Sequence, residues 1–267
     1  MSAPLVSVPI LCHNYGHFLA EAIESALAQT YPNVEVTVVD DGSTDDSASV
    51  ARRYLPDVEV VSHENLGVVR ACNAAVERAR GELFAFLSAD DTFEPTYVEE
   101  LADALARAPD ASFAYCDARL FGAQAGVRRA FPFSPALLAV VGNFVNGSAL
   151  TRRRAYLEVG GYHDDLAVHG YEDWDLWLRM LEHGHRGTYV PKPLLNWRRH
   201  RQGSRNPTNG ARVVTGRRVI RERHAALAER FARSREPLLV GALATLRSRR
   251  VSRLAEEASW RRFSGRR

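Results

Sequence analysis

Residues 83–91 read LFAFLSADD, an apolar run that ends on two adjacent carboxylates, Asp90 and Asp91. Five apolar residues in a row suit a strand buried on both faces of an α/β sheet, and such a strand ends where its side chains turn polar. The acid pair therefore belongs at the carboxyl edge of the sheet, where open α/β folds bind ligands. Neighbouring carboxylates repel each other unless a cation or strong donors hold them, and a hard divalent ion is a natural partner. The competing reading is a helix cap, because Asp91-Thr92 precedes Pro95, a good first-turn residue for the helix expected next. The stretch alone leaves both open.

Upstream, the same pattern recurs. Residues 5–11 (LVSVPIL) are expected as a first buried strand, with Pro9 forcing a bulge or an unpaired side because it has no N–H to donate. Apolar positions Leu19, Ala22, Ile23, Ala26 and Leu27 then follow helical spacing. A second strand over 34–39 ends at Asp40-Asp41-Gly42, a helix follows through Tyr54 with Ser43 or Asp45 as its cap, and a third strand covers 58–62. The turn at 63–67 leads into a helix over 68–80. Strands and helices alternating at this spacing make a doubly wound, Rossmann-like unit with helices on both faces, and they put both acid pairs at one sheet edge. That coincidence favours a site over two unrelated caps.

Downstream, the pattern predicts a helix over 95–107, a strand over 112–116, an irregular Gly- and Arg-rich stretch over 117–133 and a short helix from Pro135. Next come a strand over 146–151 and a helix over 152–159 ending at Gly160-Gly161. Residues 172–183 (EDWDLWLRMLEH) form the clearest amphipathic helix, with Trp174, Trp177, Leu178 and Leu181 on the core side. Strands are expected over 188–190 and 194–198, and two Arg-rich helices from 211 onward, broken at Pro237.

The chain has 267 residues, 46% hydrophobic and 25% charged, the make-up of a soluble globular protein. No apolar run approaches the ~20 residues that cross a bilayer, and the start MSAPLVSVPIL lacks a basic signal region, so a cytoplasmic location is expected. Cys12, Cys72 and Cys116 lack metal-ligand spacing and read as reduced core residues, with no zinc site. The net charge of +3 conceals an asymmetry: residues 198–267 hold 20 Arg against five Glu and no Asp, a surplus of +15, whereas 1–197 carry −12. This charge boundary predicts an acidic domain with a basic, helical extension, and the reach of the motifs that follow sets their limits at 1–205 and 206–267.

Taken together, the motifs resemble family 2 glycosyltransferases with the glycosyltransferase A fold. The pieces are VSVPILCHNYGHFLAEAIESALAQTYPNVEVTVVDDGSTDDS (6–47), NLGVVRACNAA (65–75), FLSADD (86–91), GGYHDDL (160–166), YEDWDLWLRM (171–180) and His200. They run in family order over roughly 5–205, and their joint occurrence is far more specific than any one of them.

The resemblance implies that Asp41 reads the nucleotide base. Ser88-Ala89-Asp90-Asp91 would stand as an Asp-x-Asp-like element, with Asp91 binding Mn²⁺ or Mg²⁺ on the donor diphosphate and Asp90 on the ribose or in the metal shell. It implies that Asp173 is the catalytic base and that His200 reaches the metal or the pyrophosphate. Leu11, His13, Asn14, Asn65, Gly67 and Asn73 are further candidate donor contacts. Leu11 departs from the family's usual proline, His13 from its base-stacking aromatic and Ser88 from its first acid.

Local explanations compete for each residue. Asp41 could serve the turn at Gly42, Asp173 the positive end of its helix dipole, His200 a solvated basic stretch, and Asn65, Gly67 and Asn73 turns and caps. Tyr171 is expected to stack on the acceptor, and 117–145 and 161–171 to set its identity.

The function expected is inverting, metal-dependent transfer of a sugar from a nucleotide-diphosphate sugar to a hydroxyl of a glycan, a lipid-linked or a small-molecule acceptor, as in polysaccharide biosynthesis. A non-catalytic sugar-nucleotide or glycan-binding module of the same fold is the alternative. A nucleotidyltransferase is disfavoured by the lack of a Gly-rich, Lys-bearing phosphate loop. The basic extension is expected to make weak, salt-sensitive contact with an anionic membrane surface at its inner face. Packing on its own acidic domain or on a second copy in a homodimer competes with this, and no nucleic acid is expected.

Overall fold

The computed structural model describes residues 3–165, 170–200 and 210–232, with side chains from 216 onward in the last segment. Strand β1 (Val6–Cys12) lies between β2 (Val34–Asp41) and the central stretch, and β3 (Glu59–His63) completes a parallel edge. The central stretch forms two short strands, β4 (Leu83–Phe84) and β5 (Leu87–Ser88), both parallel to β1. The ladder breaks at Ala85–Phe86, alongside Pro9, which has no N–H to give. Pro9 thus keeps full register with Thr37 on its β2 side and spends its missing donor where the neighbour is interrupted.

The rest of the sheet is mixed. The two-residue β6 (Thr92–Phe93), β7 (Ala111–Gly122), β8 (Gly126–Arg128), β9 (Leu150–Arg152) and β10 (Arg186–Arg199) give the order β3-β2-β1-β4-β9-β7-β10-β6, with β5 on β1 and β8 on β7. Helices α1 (Gly16–Leu27), α2 (Ser47–Arg52), α3 (Val68–Arg78), α4 (Tyr97–Arg107), α5 (Arg153–Glu158) and α6 (Glu172–Glu182) cover both faces. The helices on both faces of the sheet are those expected from the sequence. Leu83, Ala85 and Leu87 enter the core under α1 and α4, and Phe84 and Phe86 enter the core under α3 and α6, so the organising stretch is buried on both sides.

Several details differ from expectation. The stretch 117–133 is not wholly irregular, because β7 runs on to Gly122 and folds back through β8. The two late strands are one, β10, whose register against β7 shifts between Val190 and Leu195, where Pro191 and Pro193 interrupt donation. The strand expected over 146–151 shortens to β9, and the helix after Pro135 is a π-helical turn over Leu137–Val141. Trp174 and Trp177 are core residues as expected, and the Trp174 indole N–H donates to the Leu138 carbonyl at 3.0 Å.

The Arg-rich segment forms α7 (Gly210–Arg223) and α8 (Ala225–Ala232), which part at His224; the expected break at Pro237 lies outside the described residues. Ile220, His224 and Leu227 share the inward face, and Ile220 and Leu227 join the α3/α6 core. Removing a buried Ile side chain typically costs 2–5 kcal/mol, so this docking is more than incidental. No described helix is long and apolar enough to cross a membrane.

Candidate active site

The carboxyl ends of β1, β2, β3, β5 and β10 meet at one edge of the sheet. At the β1 exit Asn14 takes the left-handed conformation (φ 58°), which Asn tolerates better than most residues. Its N–H donates to Ser43 Oγ at 2.9 Å, and its Oδ1 accepts from the Thr44 N–H at 2.8 Å, locking the β1 and β2 exits together. His13 Nδ1 sits 2.7 Å from the Asp41 carbonyl. That oxygen only accepts, so Nδ1 carries the proton and Nε2 is the acceptor, 3.2 Å from the amide nitrogens of Asn14 and Asn65. The imidazole is thus tied into the loops.

Asp41 is buried, and its Oδ1 accepts from the Leu66 N–H at 2.7 Å and lies 3.4 Å from His63 Nδ1. Gly42 permits the close approach of this turn: it has φ +69°, and a Cβ would fall 2.6 Å from the Asn65 nitrogen. Gly67 donates to Asn65 Oδ1 at 3.0 Å at the start of α3. Asn73 goes elsewhere. Its amide donates to the Tyr162 carbonyl at 2.8 Å and its Oδ1 accepts from the Tyr156 hydroxyl at 2.6 Å and the Tyr162 N–H at 2.9 Å. All of these contacts hold the Gly160–Tyr162 turn, so the structure does not bring Asn73's polar atoms to the loop cluster.

The acid pair lies on a tight turn. Ala89 N–H donates to the Leu11 carbonyl, Asp91 N–H to the Ser88 carbonyl, and Ser88 itself is exposed. β6 pairs Thr92 with Asn196 and so draws the end of β10 over this turn. Arg198 N–H donates to Asp91 Oδ1 at 2.8 Å, and its Nε donates to the Asp90 carbonyl at 2.8 Å. The same guanidinium lies between the Phe18 and Phe121 rings, 4.2 and 4.3 Å from their centres, and reaches Glu21 at 2.5 Å. His200 Nε2 comes within 2.8 Å of Asp90 Oδ2, so the histidine and the acid pair, 110 positions apart, are neighbours. The role of Arg198 was not legible in the sequence, where it is one arginine in a basic run.

Asp91 is 7% exposed, and burial together with the Asp90 charge pushes its carboxyl well above the usual range, against the Arg198 N–H bond that lowers it. A buried carboxylate next to another is the environment that a cation relieves. Among the described residues no three His, Cys, Asp or Glu side chains gather closely enough to hold an ion alone. One or two carboxylates and an imidazole, completed by substrate phosphates, nonetheless fit Mg²⁺ or Mn²⁺ chemistry, in which the protein supplies few ligands.

The other acid pair opens α6. Asp173 Oδ2 accepts from Asn143 Nδ2 at 2.9 Å, and Oδ1 accepts from the Trp174 N–H at 2.7 Å. Burial first, and the neighbouring Glu172 second, push the Asp173 carboxyl up to about 7, while the Trp174 N–H, Arg128 and Asn143 oppose the rise. A carboxylate poised near neutrality at the head of a helix can take a proton at working pH. Asn143 lies 30 positions before Asp173 in a stretch without a periodic pattern, so no local signal in the sequence marks this contact. Tyr171 packs at 6.3 Å from the Trp174 ring.

Two family models match this chain: glycosyl transferase family 2 over residues 7–156, and the N-terminal domain of galactosyltransferase over 141–201. An uncharacterized glycosyltransferase of Rickettsia felis is 31% identical over 191 residues, covering 67% of this chain and 31% of that protein. The putative glycosyltransferase EpsE of Bacillus subtilis is 30% identical over 202 residues, 72% of each chain. The chain thus spans under a third of the first relative's length. Among solved structures, S. aureus TarS 1-349 in complex with UDP aligns with a TM-score of 0.62 at 18% identity, over 73% of this chain and 60% of that one. The mannosyltransferase PcManGT from Pyrobaculum calidifontis in complex with GDP-Man and Mn²⁺ aligns with a TM-score of 0.59 at 20% identity, over 99% and 80%. These likenesses establish the glycosyltransferase A fold. A family model covering more than half of the chain, with relatives in agreement, makes this protein a member of glycosyl transferase family 2.

Proposed function

We propose that this chain is an inverting, divalent-metal-dependent glycosyltransferase that moves a sugar from a nucleotide-diphosphate sugar to a hydroxyl acceptor. The observation that carries the reading is the division of labour between two acid pairs: Asp90-Asp91 with His200 at the sheet edge, and Asp173, tuned to about 7, at the head of α6.

Asp91, with His200 and Asp90, would hold Mn²⁺ or Mg²⁺, which when bound supplies positive charge against the diphosphate. Asp41 and the Asn65–Gly67 turn offer polar groups to the base and ribose, beside His13, Asn14 and Leu11. Asp173 takes the proton of the acceptor hydroxyl as its oxygen bonds to the anomeric carbon. The bond from that carbon to the diphosphate oxygen breaks, and its electron pair leaves with the nucleoside diphosphate. A single displacement from the opposite face inverts the configuration. Asn143 and the Trp174 N–H hold the carboxyl in place.

UDP and GDP donors lead the candidates, because the aligned structures carry UDP and GDP-Man. A thermal-shift panel of UDP-, GDP- and dTDP-sugars tests the proposal. At least one should raise the melting temperature in the presence of Mn²⁺ and not in its absence; no shift with any donor would overturn the reading.

The exposed α7 arginines Arg217, Arg218 and Arg221 support a weak contact of a cytoplasmic enzyme with an anionic membrane surface. Each near such a surface contributes about 1 kcal/mol before screening. Co-sedimentation with anionic vesicles at low salt, lost at high salt and absent with neutral vesicles, is the expected result. Equal, negligible binding to both would remove the contact and leave these helices as packing elements.

A further inference from the structure

Asp175 lies two residues beyond Asp173 on α6 and is 0% exposed. A carboxylate taken out of water survives only among donors, and here they come from three parts of the chain. Arg179 Nε donates to Oδ2 at 2.8 Å from the same helix, and His163 Nδ1 lies 3.3 Å from Oδ2 on the segment after Gly161. From the C-terminal helices, Arg223 Nη1 donates to Oδ1 at 2.6 Å and His224 Nε2 lies 3.3 Å from Oδ1.

The partners are themselves fastened. Arg179 donates to the carbonyls of Val159 at 2.5 Å and Gly161 at 2.6 Å, Arg223 also pairs with Asp165, and His224 Nδ1 meets Glu182 at 2.8 Å. Burial alone would raise the Asp175 pKa, but hydrogen bonds from His224, Arg179 and Arg223 outweigh it and hold the carboxyl well below its ordinary range. Burial would lower the His224 pKa, yet Asp175 and Glu182 raise it.

The path from this cluster to the candidate base is short. Gly161 is followed by Tyr162, whose hydroxyl and the Asp173 Cβ both flank Gly147, at 3.7 and 3.9 Å from where a Cβ on that glycine would stand. Gly161 has φ +66°, and a Cβ there would strike Asn73 Oδ1 at 2.5 Å, so the turn has little room to relax. A buried carboxylate held by ion pairs is a poor device for stability alone, since apolar replacements are often neutral or stabilising. It is a good device for fixing one geometry.

We propose that Asp175 and Arg223, with Arg179, His163 and His224, form a positioning hub through which the C-terminal helices set the first turn of α6 and so the Asp173 carboxyl. The inference rests on the reading of Asp173 as base and makes α7 part of the catalytic apparatus.

The test uses the full-length ¹⁵N-labelled chain. The Trp174 amide, which donates to Asp173 Oδ1, reports the titration of that carboxyl among its neighbours Glu172, Arg128 and Asn143. Arg223→Ala should move the midpoint by roughly half a unit or more, and Arg223→Lys should restore it. If Arg223→Ala does not fold, His224→Gln carries the same expectation. An unmoved midpoint with a lowered melting temperature overturns the proposal, because the hub would then be structural only. Amide exchange is a second readout that does not depend on the base assignment: protection over 173–176 should fall roughly tenfold in Arg223→Ala, and unchanged protection also overturns the proposal. Failure of the base reading itself shows separately, as retained transfer in Asp173→Asn.

Discussion

Asp91→Ala abolishes metal-dependent nucleotide binding: in calorimetry, affinity for UDP or GDP with Mn²⁺ should fall roughly 10²-fold, about 2.7 kcal/mol, to the level seen without metal. The expectation follows from the placement of the carboxyl. Asp91 is buried beside Asp90, one of its oxygens is already engaged by the Arg198 N–H, and desolvation and its neighbour push its pKa well above the usual range. The isosteric Asp91→Asn gives a second, opposite signature. An acid with a raised folded pKa binds more protons folded than unfolded, so it lowers stability as pH rises above the unfolded value of about 4. In metal-free protein Asp91→Asn should therefore melt no lower than the wild type at pH 8, while the increment added by Mn²⁺ and nucleotide disappears. Unchanged nucleotide affinity in Asp91→Ala would sink the ligand assignment.

The half of the fold from β1 to β5 was legible because its signals are local. Each strand is an apolar run closed by polar residues, and each helix carries its packing face at helical spacing. Strand β7 beyond Cys116 was not, since the polar–apolar alternation of Asp117-Ala118-Arg119-Leu120 is only four residues long and runs into Phe121-Gly122 and a Gly- and Arg-rich stretch. It stays in the sheet because β10 and β8 supply backbone partners from residues up to 77 positions away, as in the Arg199–Gly122 pair. The prolines in β10 read as an end and instead produce a register shift. Ile220 and Leu227 already show helical spacing in the sequence, but twenty arginines in the same seventy residues drew the reading toward a surface.

The placement of the candidate residues was legible where strand ends dictate it. Asp41, Ser88, Ala89, Asp90 and Asp91 fall at carboxyl ends because buried strands have to stop there, and the link of His200 to Asp90 was reachable through the resemblance alone. Asn73 was not separable from the loop residues, since its partner Tyr162 lies 89 positions away and nothing local in either segment announces the contact. Arg198 was hidden for a different reason. A basic run does not reveal which arginine turns inward, and here β6 decides it by pairing with β10. Asp175 and Arg179 stand four apart on one helix, a spacing that signals an ion pair, but not that the pair is buried or that α7 completes it.

Asp173→Asn is the other large effect: it should leave donor binding intact and reduce transfer by roughly 10²-fold or more. The amide keeps the carboxyl's shape and one acceptor oxygen, so the Trp174 N–H keeps its partner while the new NH2 faces Asn143, and what the reaction loses is the ability to take a proton. In the wild type kcat/KM should rise with pH through about 7, where burial and Glu172 place this carboxyl, and the limb should vanish from the residual activity of the variant. The stability consequence has a definite sign. Between pH about 4 and about 7 the folded state binds the proton that the unfolded state has released, so wild-type stability declines across that window and the penalty persists above it. The variant should therefore melt above the wild type at pH 8, and the gap should close toward pH 4. Transfer that survives the substitution would remove Asp173 from the chemistry. Donor binding with Mn²⁺ but no turnover in the wild type itself, across glycan, lipid-linked and small-molecule acceptors, would favour a sugar-nucleotide-binding module. A melting temperature raised at alkaline pH together with lost transfer would mean that the fold carries a destabilising charge at this position because the reaction requires it.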